Sequence, residues 1–314
     1  MENRGQNTRE AIFKGSKEKI QEDLEQVDFD MLRTIFEEIY RKTGLDVGDM
    51  EFVKKEDIEF FYDMFSFGAT AGMEPVVEKI TGEKIGERHV LNFNPANFKF
   101  ITPILNDKLR KRLHTLKLLV HEQVHITQGD GVEEFKTEDG TSISAYFSGL
   151  TSYDNNLNRT RVAFNEGLVE KIADKVLEEY LRRSGNSSFI QEGYYKTYNI
   201  GRMLIDILIH KIHSYSGIPE DQVFNALVRA SYDGQDILDD ELFKDGGQEI
   251  RLFIQEHQNI VPASTHIPYL NEISQEEKKR LVDIFSREMD IETYTDTHVL
   301  KFLKKYGIGK SQNL

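Results

Sequence analysis

Apolar side chains recur every three or four positions along most of this chain, and that spacing is typical of amphipathic helices. The first repeat consists of Ile20, Leu24, Val27, Met31, Ile35 and Ile39, and Gly44 follows it. Helices are predicted over residues 16–42, 106–128, 165–183 and 198–215. Most of the remaining C-terminal residues have helical spacing as well. The pattern therefore predicts a predominantly helical protein.

A few stretches depart from the helical pattern. Residues 89–93 alternate between apolar and polar side chains and end in Asn-Pro, which predicts a short strand. Residues 129–164 are rich in Gly, Ser, Thr, Asn and Asp, with strand-like pieces near residues 142–150. Residues 51–81, in contrast, have mostly helical spacing in spite of their glycines. The fold class predicted from these patterns is α+β, with a small sheet among many helices.

Composition narrows the classes of function. The 314 residues have a formal net charge of −14, which argues against nucleic acid or an anionic membrane as the main partner. No run reaches the roughly 18 apolar residues of a membrane-spanning helix, and the N-terminus is polar, so we expect a soluble, cytoplasmic protein. With no cysteine present, a metal site has to use His, Asp and Glu. The oligomeric state is not predictable from the sequence.

The segment His121-Glu122-Gln123-Val124-His125 lies inside the second predicted helix. Because a helix turns about 100° per residue, the two histidines project from one face, one turn apart. Two imidazoles so placed can bind one zinc ion. Glu122 points to the adjacent side, where it can take a proton from a water molecule that zinc activates. This is the arrangement of the His-Glu-x-x-His motif, and it predicts His121 and His125 as metal ligands and Glu122 as general base.

A catalytic zinc site needs a third protein ligand and one open position. The next predicted helix begins with Asn165-Glu166-Gly167, and Glu166, Glu170 and Asp174 form a row beside its apolar face. Three acids in a row are also typical of a solvated helix face. The alternative is that Glu166 is the third ligand and that Glu170 holds a ligating histidine by its other ring nitrogen.

At these residues the chain resembles the gluzincin metallopeptidases, which have His-Glu-x-x-His on one helix and a glutamate ligand on a second. Asn165-Glu166-Gly167 is similar to the Asn-Glu-Gly segment of the aminopeptidase N type. The spacing from Glu166 to Glu170 is similar to the Glu-x-x-x-Asp of the thermolysin type. The resemblance covers about residues 88–215. It implies a zincin-like catalytic core and one zinc ion per chain.

The resemblance also implies a residue that stabilises the oxyanion. In the aminopeptidase type this residue is the tyrosine of a Tyr-x-x-Gly segment that opens a helix. Tyr198-Asn199-Ile200-Gly201 matches that segment, and Tyr198 is therefore the predicted donor. Tyr194 and Tyr195 are rival candidates, and an aromatic residue that only packs at a helix start is the other alternative.

A gluzincin site further implies an edge strand that pairs with an extended substrate. The strand predicted at residues 89–93 is the candidate. Gly72-Met73-Glu74 is similar to the Gly-x-Met-Glu segment of aminopeptidases. Because it lies too far upstream, has helical spacing and lacks the Asn that follows in that family, we interpret that match as coincidence. The choice between endopeptidase and aminopeptidase stays open.

The sequence thus predicts a zinc metallopeptidase with a peptide or protein substrate. The expected organisation is an N-terminal helical region at 1–87, a catalytic core at 88–215 and a C-terminal helical region at 216–314. One alternative is a zincin-fold binding or regulatory module without turnover. Another is a metallohydrolase of non-peptide amides. An intact Glu122 favours catalysis, because a structural metal site has no use for a base.

Overall fold

The computed structural model describes residues 16–48, 50–61, 69–77, 84–95, 108–136, 142–153, 159–192, 199–234, 247–259 and 275–289. Its helices are α1 (16–24), α2 (Phe29–Lys42), α3 (Lys108–Thr127), α4 (Val162–Arg183), α5 (Ser188–Glu192), α6 (Asn199–Ser216), α7 (Glu220–Tyr232), α8 (Gly247–His257) and α9 (Gln275–Glu288). Its strands are β1 (Ile58–Phe60), β2 (Ala69–Val77), β3 (Lys84–Phe93), β4 (Asp130–Lys136), β5 (Ser142–Ser148), β6 (Ser152–Tyr153) and β7 (Arg159–Thr160). The predicted α+β class and the predominance of helix are confirmed.

The largest sheet has three strands in the order β1-β3-β2. β1 runs parallel to β3, with Ile58 opposite Leu91, and β2 runs antiparallel to β3, with Ala71 opposite the same leucine. Strand β3 is therefore central. The prediction of a strand at residues 89–93 is confirmed, but its assignment as an edge strand is wrong at residues 91–93, where β1 pairs on one side and β2 on the other. The edge strand that packs on helix α3 is β2.

The prediction of helical structure across residues 51–81 is also wrong. Within the described part of this stretch, residues 58–60 and 69–77 are strands. Short apolar runs do not distinguish the helical period from a strand, and pairing with β3 decides the matter here. The segment Gly72-Met73-Glu74 consequently lies on β2. The expectation of helix at this segment is wrong, while its distance upstream and the Pro75 that stands where the family has Asn still argue against the aminopeptidase match.

The first predicted helix is interrupted. Residues 16–24 are helical, and a new helix, α2, begins at Phe29. Asp28 causes the break, because its carboxylate accepts a hydrogen bond from the Met31 amide over 2.9 Å, as an N-terminal capping residue does. The Asp28 amide in turn donates to the Tyr180 hydroxyl over 2.9 Å, which ties the break to helix α4.

Contacts between Cα atoms divide the chain into two compact units. Among the described elements, the first unit contains α1, α2, β1–β3, α3, α5 and the part of α4 from Ala173 onward. Its core includes Ile20, Leu32, Phe36, Leu91, Phe93, Leu119 and Val120. The second unit contains β4–β7, the part of α4 up to Ile172 and α6–α9, with Leu168, Leu204, Leu208, Leu227, Phe253 and Phe285 in its core. The three-region division expected from the sequence stays a prediction.

Helix α6 is the most apolar of the long helices, and most of its residues are buried among its neighbours. α7, α8 and α9 all pack against it. None of the described helices combines the length and the apolar character that a bilayer crossing requires.

Candidate metal centre

Helix α3 presents the two motif histidines on one face. This helix is buried on nearly all sides, and Leu116, Val120 and Val124 are among its buried apolar residues. His121 and His125 lie one turn apart, with their ring centroids separated by 4.9 Å. Their Nε2 atoms are 3.2 Å apart. The same nitrogen of each ring thus points to one place.

Glu166 joins these two nitrogens from helix α4. One ligand atom from each of His121, His125 and Glu166 lies within 4.8 Å of the other two. Helix α4 begins at Val162, after Arg161 turns the chain with a φ of 59°. The predicted start at residue 165 is therefore three residues late. Glu166 lies in the second turn of the helix and not in the first, as the sequence had suggested.

The donor set fits a zinc ion. Two nitrogens bound at about 2.0–2.1 Å to one tetrahedral ion are separated by roughly 3.3–3.4 Å. The observed Nε2–Nε2 distance of 3.2 Å is close to that value. Without an ion, the same two nitrogens can share one proton in a hydrogen bond, so the distance alone does not require a metal. The carboxylate of Glu166 supplies the third donor, and its negative charge favours a divalent cation over a proton shared between two neutral imidazoles.

Glu122 lies on the adjacent side of helix α3, next to strand β2. Its side chain is buried, and its Oε2 accepts a hydrogen bond from the Ala71 amide over 2.9 Å. That amide points away from β3, toward helix α3. One carboxylate oxygen therefore holds Glu122 against strand β2.

The row of acids on α4 is not a solvated face. Glu170 has no exposed surface and Asp174 is only 5% exposed. Each lies near its own buried cation. Glu170 Oε2 is 3.9 Å from Arg202 Nη1, and Asp174 Oδ1 is 3.1 Å from Lys117 Nζ. Burial of these carboxylates is supported by paired charges, as such burial requires. The role of Glu170 as a hydrogen-bond partner of a ligating histidine stays a prediction.

Arg202 reaches Glu170 because helices α4 and α6 approach each other closely. A Cβ on Gly167 would collide with the carbonyl oxygen of Gly201, so only glycine allows this backbone contact. Sequence reasoning missed both Arg202 and Lys117. The usable signal was their position: a lysine one turn before His121, and an arginine directly after the glycine of the Tyr-x-x-Gly segment.

His114 is a buried residue of helix α3. It is 5% exposed. Burial lowers the pKa of His114 from its ordinary value to about 4, and the ammonium group of Lys117 adds to this effect. The imidazole is therefore neutral in the folded protein near neutral pH. His114 lies two turns before His121 and is not among the clustered ligand atoms.

We expect His114 to make the metal-free protein less stable in mild acid. Its folded pKa of about 4 is below the ordinary value of about 6.5, so stability is complete above pH 6.5 and declines as the pH falls toward 4. At pH 5 the loss of unfolding free energy is about 2 kcal/mol. Urea titrations at pH 7.5 and pH 5 measure it. His114→Leu has no group to titrate, and an equal acid sensitivity in this variant would contradict the assignment.

The remaining predicted residues lie elsewhere. Tyr198 and its rivals Tyr194 and Tyr195 fall outside the described residues. His210 and His213 form a helix-end pair. His210 Nδ1 is 3.2 Å from Glu220 Oε1, and His213 Nδ1 is 2.7 Å from the Ile218 carbonyl oxygen. In the described part of the chain, they do not belong to a cluster of potential metal ligands.

No family model, curated protein or solved structure matches this chain. The chemistry has to be argued from the side chains of the chain itself.

Proposed function

We propose that this chain is a zinc-dependent peptidase of the gluzincin type, with a zincin-like catalytic core. The observation that carries the proposal is the convergence of His121, His125 and Glu166 beside the buried carboxylate of Glu122. These are two neutral nitrogen donors, one charged oxygen donor and a separate base. A structural metal site uses the first three and has no function for the fourth.

The zinc ion would supply a Lewis acid that polarises a water molecule and the scissile carbonyl. The residues of the chain do the rest. His121, His125 and Glu166 would hold the ion. Glu122 takes a proton from the attacking water and passes it to the leaving amine, and the Ala71 amide keeps its carboxylate aimed. Tyr198 is the proposed donor to the developing oxyanion, an assignment that rests on the resemblance.

Strand β2 is the proposed docking edge for an extended substrate. One of its sides pairs with β3, and the Ala71 amide on its other side reaches Glu122. A peptide chain that pairs along this side would lie next to Glu122, whose carboxylate already accepts the Ala71 amide. Cytoplasmic location stays a prediction.

Two other functions use the same residues. A binding or regulatory module would hold zinc and not turn over, and a hydrolase of non-peptide amides would share the chemistry but not the extended substrate. The edge position of β2 in the described sheet favours a peptide, because backbone hydrogen bonds along a strand recognise a peptide chain and not a small amide.

We expect one zinc ion per chain after reconstitution and dialysis, because the three ligand atoms form one cluster. Elemental analysis measures the stoichiometry. The same protein, incubated with a peptide library, should yield fragments, and a zinc chelator should suppress them. Zinc content near zero would contradict the proposal. Full zinc content without cleavage of any peptide would favour the binding module, and amino acids released only from N-termini would identify an aminopeptidase.

A further inference from the structure

The buried side-chain amides of Gln128 and Asn165 are close in sequence to the candidate ligands His125 and Glu166. Gln128 follows the last residue of α3, three positions after His125, and Asn165 immediately precedes Glu166 on α4. The Gln128 Nε2 group donates to Asn165 Oδ1 over 2.8 Å, and Asn165 Nδ2 donates to Gln128 Oε1 over 3.2 Å. Both side chains are at least 95% buried. The reciprocal geometry fixes the orientation of both amide planes.

The surrounding backbone completes the amide pair. Asn165 Oδ1 also accepts from the Leu150 amide over 2.9 Å, and the second hydrogen of Gln128 Nε2 goes to Ser231 Oγ over 2.8 Å. Every hydrogen of the Gln128 amide is therefore used. Gly149 packs against the pair so closely that a Cβ there would collide with both amides. Neither side chain can move easily, because each broken hydrogen bond would leave a buried polar atom without a partner.

We propose that Gln128 and Asn165 are positioning residues for the metal centre. The inference rests on the proposed function. Metal ligands have to be held within about 0.5 Å of their productive positions, and side-chain flexibility alone does not provide this. The Gln128–Asn165 pair joins the end of the helix that carries His125 to the start of the helix that carries Glu166. It thereby sets the distance between a nitrogen ligand and the oxygen ligand.

The pair does this without touching the ion. A helix is rigid over one turn, so fixing Asn165 fixes the backbone of Glu166 beside it. At the other end, Gln128 directly follows the last residue of α3 and is three residues from His125. Lost outer contacts of metal ligands typically reduce metal affinity by about 10–100-fold. We expect the amide pair to fall in this range.

The test replaces Gln128 by methionine, which keeps the length of the side chain and removes both hydrogen-bonding functions. Zinc affinity, measured by competition with a chromophoric chelator, should fall by about 10–100-fold. The matched control is Ser231→Ala, which deletes the other hydrogen bond of the same Gln128 amide and leaves the pair with Asn165 intact. Ser231→Ala should lower the melting temperature but bind zinc within about threefold of the parent.

A milder variant guards against misfolding. Gln128→Asn keeps the amide but is one methylene too short to reach Asn165, and it should lose zinc affinity in the same direction. Folded variants with parental zinc affinity would overturn the positioning role. So would an equal affinity loss in Ser231→Ala, since a merely structural role predicts that. A parent protein that binds no zinc would instead overturn the proposed function itself.

Discussion

Replacement of Glu122 by glutamine should leave the metal site intact and abolish turnover. The glutamine keeps an oxygen that can accept the Ala71 amide, so the contact between helix α3 and strand β2 is preserved. It lacks the basicity to take a proton from water. We expect kcat to fall by roughly 10²–10⁴-fold, the contribution typical of a general base. Steady-state kinetics on a peptide that the parent cleaves measure the effect.

The metal content of Glu122→Gln shows whether the fall in kcat comes from the missing base or from lost zinc. Elemental analysis and the melting temperature of Glu122→Gln should match the parent, because the carboxylate is proposed to contact water and not zinc. The control is Glu51→Gln, which removes the same charge from an exposed carboxylate that pairs with His89 over 2.8 Å. It should retain parental kcat. Near-parental hydrolysis by Glu122→Gln would refute the mechanism, even if zinc is bound.

Replacement of His125 by alanine should remove zinc and activity together. Its Nε2 atom lies 3.2 Å from that of His121, and no other described side chain can take its place in the cluster. The two remaining donors, His121 and Glu166, are fewer than the three protein ligands that a catalytic zinc site uses. We expect the zinc affinity to fall by more than about 100-fold, beyond the effect of losing an outer contact. Chelator competition measures the affinity and a peptide digest the activity.

The matched control for this variant is His210→Ala. His210 lies at an exposed end of helix α6 beside Glu220, and it has no place in the cluster. It should keep full zinc content and activity. If His125→Ala bound zinc as tightly as the parent, the ligand assignment would be wrong, whichever residue carries catalysis. The two substitutions at Glu122 and His125 therefore separate the chemistry of the base from the binding of the metal.

The part of the site that the sequence determined is the part that lies within one helix. The helical period alone decides that His121 and His125 share a face and that Glu122 projects beside them. Nothing distant in the chain is needed for these statements, and the spacing of four residues is enough.

Glu166 was one of two alternatives that the sequence left open, and the resemblance favoured it as a ligand. Its helix was predicted three residues too short. The true start follows Arg161, whose positive φ cannot be inferred from hydrophobic periodicity. The acids after it could be read as a solvated row. Their burial is decided by Arg202 and Lys117, which are supplied by two other helices.

Tertiary structure alone decided the edge strand and the amide pair. Strand β3 has the clearer alternation, yet β2 lies at an edge of the described sheet, because strand order depends on pairing between segments that the pattern treats one at a time. Gln128 and Asn165 meet through side chains 37 positions apart. The hydrophobic period relates residues within one helix or strand. These contacts instead form where separate elements pack, and no single stretch of the sequence determines the free energy of that packing.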